Sequence, residues 1–269
     1  MTGFSADWLA LREPADHASV NALVRDAVRG HFAGRPSLAV VDLGSGAGSN
    51  LRGLSPVLGA NQAWTLVDYD PKLLAVAKAR AEAAPPAGVT SLTFREADLS
   101  GGDFAPVIAG ADLVTAAALF DLVSAPVIDR LADSVAANGQ VFATVLTYDG
   151  IAAFLPPHPA DSAMRDLFNA HQRGDKGFGR AAGPDATEAL ARAFARHGYR
   201  ILRGKSPWVL DGTFDRLRRE LDRGWAGAVL ETGRIPKDTI DAWLAHRDHA
   251  ADAVTIVGHE DILALPPGA

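Results

Sequence analysis

The sequence predicts an α/β protein built on a doubly wound, mostly parallel sheet with helices on both faces. Three observations lead there. Apolar runs of strand length alternate with stretches of helical periodicity between residues 38 and 146, the first run empties into VVDLGSGAGSN at 40–50, and acidic residues close the next two runs. Unbroken apolar strands are buried on both faces, which requires helices above and below the sheet. Ligands of such sheets lie beyond the carboxyl ends of the strands.

Taken in order, residues 5–33 read as two short helices separated at Pro14. The cofactor-binding core, 37–150, opens with a strand at 38–43 and a helix at 49–58. A strand at 63–67 follows, then an alanine-rich helix at 71–84 stopped by Pro85 and Pro86. Strands at 92–95 and 112–116, a helix at 126–137 and a fifth strand at 140–146 complete it. Insertions at about 151–183 and 213–248 interrupt the rhythm and are expected to form a lid. The last strands fall at about 199–210 and 253–258, and the whole chain reads as one domain.

Composition narrows the function. The 269 residues carry a formal net charge of −6 and no cysteine, which excludes an overall basic field for nucleic acid, thiolate metal ligands and cysteine nucleophiles. No apolar run is long enough to cross a membrane, so a cytoplasmic protein without membrane or nucleic-acid partners is expected. Histidines 31, 197, 246, 249 and 259 lack ligand spacing, and no metal is expected.

Gly44, Gly46 and Gly48 let a backbone approach a ligand without a Cβ in the way, beside the free N–H groups of the following helix. A tight strand-to-helix turn without a ligand is the alternative. The spacing departs from the dinucleotide pattern, because Ser49 stands where its third glycine belongs. Asp68 closes the second strand in WTLVDYDP, where a carboxylate can accept from two ribose hydroxyls. Asp98 closes the third in READLS, and the fourth ends in the small residues Ala116, Ala117 and Ala118.

Together, D-x-G-x-G-x-G at 42–48, V-D-x-D-P at 67–71, A-D-L at 97–99 and ADLVTAAALFDLV at 111–123 resemble the class I S-adenosylmethionine-dependent methyltransferases. The resemblance implies a Rossmann-like sheet of seven strands, with S-adenosylmethionine as cofactor and S-adenosylhomocysteine as product. It places Asp42, Gly44, Ser45, Gly46 and Gly48 against the methionine part, Asp68 and Tyr69 at the ribose, Asp98 and Leu99 at the adenine, and Ala116 beneath the cofactor. Arg12 is a candidate for the cofactor's carboxylate, an ion pair with Asp16 being the alternative. WLALREPADH at 8–17, LTYDG at 146–150, LFNAHQRGDKGFG at 167–179 and VGHEDILALP at 257–266 are similar to a bacterial subfamily of unassigned substrate, with a departure at His17, where that pattern has Arg.

Methyl transfer needs a positioned acceptor and, where the acceptor bears a proton, a base. Asp121, just past the fourth strand, and His171 and Asp175, in the polar stretch 167–179 of the first insertion, are the catalytic candidates. Tyr148, Asp149, Asn169, Gln172, Phe178 and Trp225 are candidates for binding the acceptor, with core packing the alternative for Trp225. The expected function is methylation of a small molecule at oxygen or nitrogen. An RNA or protein methyltransferase is the alternative, disfavoured by the acidic balance and by ALFD in place of an N-P-P-Y tetrapeptide. A non-catalytic cofactor-binding subunit is a further one, and a nicotinamide reductase is disfavoured by the glycine spacing.

Overall fold

A computed structural model describes residues 4–269. Helices α1 (Ala6–Ser19) and α2 (Ala22–Phe32) precede β1 (Leu38–Leu43), α3 (Ser49–Leu54), β2 (Gln62–Asp68), α4 (Pro71–Ala83), β3 (Val89–Glu96), the single turn α5 (Ala105–Ile108) and β4 (Leu113–Ala117). Then come α6 (Ala125–Ala137), β5 (Val141–Leu155), α7 (Asp161–Gln172), α8 (Ala186–Ala195), β6 (Arg200–Lys205), β7 (Trp208–Leu210), α9 (Asp215–Glu231), α10 (Lys237–His249) and β8 (Val254–Leu265). The strands form one sheet in the order β3-β2-β1-β4-β5-β8-β6, with β7 also on β8. β1 to β5 are parallel, and β8 runs antiparallel to its three neighbours.

Local chemistry sets the elements. Asp70 caps α4 by accepting from the Lys72 N–H, with Pro71 in the first turn where its missing donor costs nothing. α6 buries Val127, Ile128, Leu131, Ala132 and Val135 on one face, and Gly139, at φ 60°, turns the chain into β5. One apolar core lies on each face of the parallel sheet. A third, under the far halves of β5 and β8, gathers Phe154, Met164, Trp208, Trp225 and Trp243 and carries α7, α9 and α10 as a cap.

Three expectations are corrected. Pro14 lies inside α1, and the helix break falls at Val20 before the cap residue Asn21. The missing Pro14 hydrogen bond is outweighed because Glu13 binds Arg52 and Arg80 while His17 Nε2 meets Ser49 O at 3.0 Å. The segment after residue 146 is a continuation of β5 to Leu155, and β8 runs seven residues beyond 258, to Leu265. Buried Asp261 makes that possible: its carboxylate accepts from the Leu146 N–H (2.8 Å), where φ is 59°, from the Asn21 N–H (2.7 Å) and from the Ser206 hydroxyl. The stretch 199–210 is two strands, parted at Ser206 and Pro207, so the sheet has eight strands where the resemblance implies seven.

Candidate active site

At the tip of β1 the chain turns through Gly44, Gly46 and Gly48, all at positive φ. The turn is sealed to β2: Ser45 N–H donates to Val67 O (3.0 Å), and Gly46 N–H to Asp68 Oδ2 (2.7 Å). The other Asp68 oxygen accepts from the Asp70 N–H at 2.9 Å. Leu119 and Leu9 lie over the turn, 3.0 and 3.1 Å from where side chains at Gly44 and Gly46 would begin. Asp42 is fully buried. Its Oδ1 accepts from Asn50 Nδ2 (2.7 Å), while Oδ2 and the nearby Ser45 Oγ have no partner among the described residues. Burial, reinforced by the charge of Asp68 and opposed by Asn50, pushes the Asp42 carboxyl up to about 7.

Two orphaned polar oxygens beside a bare glycine turn call for a ligand with hydrogen-bond donors. An amino acid moiety supplies them through its ammonium, so the residues present fit the methionine end of S-adenosylmethionine. Asp98 and Leu99 follow β3. Leu99 is buried, whereas the Asp98 carboxylate is exposed and held below its ordinary range by the Ser100 N–H. Tyr69 is 45% exposed beside Asp68.

Ala116 is buried at the end of β4, and Ala118 turns the chain at φ 50° with its N–H on Val145 O. One turn later Asp121 lies 8% exposed with its carboxyl directed into the protein. Burial pushes it up to about 6, against its own backbone N–H and the positive charges of Arg12 and Lys176. Tyr148 on β5 is buried and donates its hydroxyl to Asn169 Oδ1 (2.7 Å), and Asn169 Nδ2 donates to Gly150 O (2.9 Å). Burial raises the Tyr148 hydroxyl pKa, and the charges of Asp149 and Asp121 raise it further.

Several candidates fall elsewhere than the sequence implies. Arg12 gives Nε and Nη2 to Asp16 (2.9 and 3.1 Å) and lies over the Trp208 ring, the ion pair that was the alternative to a cofactor contact; its charge also acts on Asp121. Asp149, beside Tyr148 where the pairing of β5 to β8 is irregular, is held in an ion pair. It binds Lys205 Nζ (3.0 Å) and the Ile151 N–H. Trp225 is stacked on Phe168 at 4.0 Å and 2% exposed, a core residue with no face for a ligand. Asp175 is exposed and caps its own turn through the Gly177 N–H. His171 spends Nε2 on Glu231 (3.0 Å) and meets Lys176 Nζ at 3.3 Å through Nδ1. Gln172 is half-buried at the end of α7, and Phe178 packs beside Leu119 on the core beneath β4.

Sequence reading missed His259 as a neighbour of Tyr148. His259 on β8 is buried against Trp208 and Tyr148, with ring centroids 5.1 and 6.3 Å away, and its Nδ1 has no partner. Burial and the charge of Arg12 push it down to about 3, so the imidazole is neutral. Its register opposite Tyr148 could not be read without pairing β5 to β8. Among the described residues no cluster of His, Asp and Glu is placed to hold a metal ion, and no helix is long and apolar enough to cross a membrane.

Residues 40–139 match the family model of a methyltransferase domain. No curated protein matches the chain in sequence. Solved structures share the fold. A cyclopropane-fatty-acyl-phospholipid synthase-like protein from Lactobacillus casei has a TM-score of 0.55 at 18% identity, over 98% of this chain and 95% of that one. YcgJ from Bacillus subtilis has a TM-score of 0.52 at 14% identity, over 92% and 100%. An S-adenosylmethionine-dependent methyltransferase from Thiobacillus denitrificans, solved with S-adenosylhomocysteine, has a TM-score of 0.50 at 16% identity, over 98% and 100%. The stretch that matches the methyltransferase-domain model contains the glycine turn together with Asp42, Asp68 and Asp98.

Proposed function

We propose that the protein methylates a small molecule at oxygen or nitrogen, with Asp121 as the base. The observation that carries this reading is the Asp121 carboxyl, buried past the end of β4 and pushed by that burial up to about 6. Such a group is ionised at neutral pH yet basic enough to take a proton in the transition state. S-adenosylmethionine, when bound, supplies a methyl carbon on a sulfonium, which departs with the carbon–sulfur electron pair left on sulfur. The acceptor's lone pair forms the new bond, and its proton passes to Asp121. Tyr148, fixed by Asn169, forms the opposite wall, and residues 173–182 with the cap helices exclude water from the reacting atoms.

The test is incubation with cofactor bearing a deuterated methyl group and a cell extract divided by a small-pore filter. Label on filtrate compounds is expected, and Asp121→Asn should abolish most of it. Label confined to retained RNA or protein overturns the small-molecule reading.

A further inference from the structure

The layer between the sheet and helices α2 and α3 is not filled. A cavity of about 70 Å³ lies there, floored by Ala117 of β4 and by Ala143 and Val145 of β5, and walled by Val24, Val28 and Leu54. Alternate residues of a strand share a face, so this floor is turned away from Ala116 and from the core in which Phe120 and Val123 seat the Asp121 turn. The cavity therefore lies across the sheet from that turn.

Protein interiors are densely packed, and voids larger than a water molecule are few. At about 10–15 Å³ for each water-sized group this cavity has room for about five, and its apolar walls give water few partners. An alkyl chain of about four or five carbons matches it in size and character.

The polar groups of the lining are for the most part spent. Asp16 accepts from Arg12 and from Trp208 Nε1, His17 Nε2 meets Ser49 O, and the Asn50 amide is given to Asp42 and Thr115. Arg25 differs. Its Nε is buried without a hydrogen-bond partner among the described residues, while its side chain is 39% exposed and so reaches from the cavity to solvent. The Asp26 carboxylate stands 3.8 Å from that Nε, beyond hydrogen-bonding distance, and Arg29 holds it at 3.0 Å. A guanidinium can offer two parallel N–H donors to one carboxylate.

We propose that this cavity is a binding site for a short aliphatic carboxylate, with its chain against Ala117, Ala143 and Val28 and its carboxylate on Arg25. The site does not depend on the methyl-transfer reading above. Asn50 both lines the cavity and binds Asp42, so an occupant packs against a support of the glycine turn.

The experiment is calorimetric titration of the whole protein with pentanoate, pentan-1-ol and acetate up to about 10 mM, the range in which ligands of so few atoms bind. Pentanoate is expected to bind saturably at one site, with pentan-1-ol about tenfold or more weaker. Acetate, which has almost no chain to bury, should give no saturable heat. Arg25→Gln, a change on an arm that reaches solvent, should bring pentanoate down to the level of the alcohol. Ala143→Leu fills the cavity from its floor and should abolish binding of both, with a cooperative thermal transition showing that the variant is folded. No saturable binding of pentanoate, binding that persists in folded Ala143→Leu, or equal affinity for acid and alcohol overturns the assignment. Should Ala143→Leu fail to fold, Arg25→Gln decides alone, and pentanoate bound there as tightly as by the wild type overturns it.

Discussion

The cofactor side of the cleft is assembled from near neighbours in sequence, whereas its acceptor side is assembled from distant ones. Asp42, the glycine turn and Asp68 meet across adjacent parallel strands, and main-chain N–H groups make most of the contacts. Across the cleft, Asp121, Tyr148, Arg12 and His259 come from a turn, two strands and an N-terminal helix. What holds them is side-chain chemistry: the Arg218, Asp222, Arg247 and Thr255 network that fastens the cap, and Asp261 beneath the β5 irregularity. A backbone-built site tolerates change in side chains nearby. A site built of side chains depends on supports far from it, and that difference can be tested.

The largest effect is expected at the cap. Asp222 Oδ2 accepts from Arg218 (2.9 Å) and Arg247 (3.3 Å), both fully buried. Asp222→Ala leaves the buried Arg247 without an acid and Arg218 with Asp215 alone, and should cost about 3–5 kcal/mol in urea unfolding. S-adenosylhomocysteine affinity of the folded variant should stay within about twofold. An affinity loss that parallels the stability loss would show that the two sides are one unit.

Asp121→Asn sharpens the contrast in catalysis. Turnover should fall by about a hundredfold or more, with cofactor binding unchanged. In the wild type, kcat/KM should climb as pH rises through about 6, where Asp121 ionises. That limb should vanish in the variant. The raised pKa also means that the folded state holds this proton more tightly than the unfolded chain. Its contribution to stability is therefore full below the ordinary carboxylate pKa and is lost as pH rises through about 6.

On the cofactor side, Asp68→Ala should weaken S-adenosylhomocysteine binding by about 2 kcal/mol with the fold intact, measured by calorimetry. Unchanged affinity would mean that the turn alone carries the ligand. The smallest effect concerns Asp42, raised to about 7. If the ligand ammonium faces its orphaned oxygen, binding favours the carboxylate and releases a proton. Affinity should then rise by about tenfold from pH 6 to pH 8, and Asp42→Asn should flatten the profile.

How much of this was legible in the sequence follows the same division. The positions of β1 to β5 along the chain, the glycine turn and the acidic tips could be read because each rests on a local rule of periodicity, positive φ or strand-end position. Tyr148 and Asp149 show where reading stopped. They are adjacent and both polar at their tips, and only their tertiary partners separate them: Tyr148 donates to Asn169, while Asp149 binds Lys205.

The sequence by itself determined the α/β class and the glycine turn after β1, since a bare backbone beside a helix start is written in consecutive residues. The tertiary structure alone decided that Trp225 belongs to the core, that Arg12 is paired with Asp16, and that Tyr148 meets Asn169. The physical reason is that a side chain's role depends on its charge partner and its burial. Both come from strands and helices tens of residues away, brought near only when β8 returns along β5 and the cap closes over them.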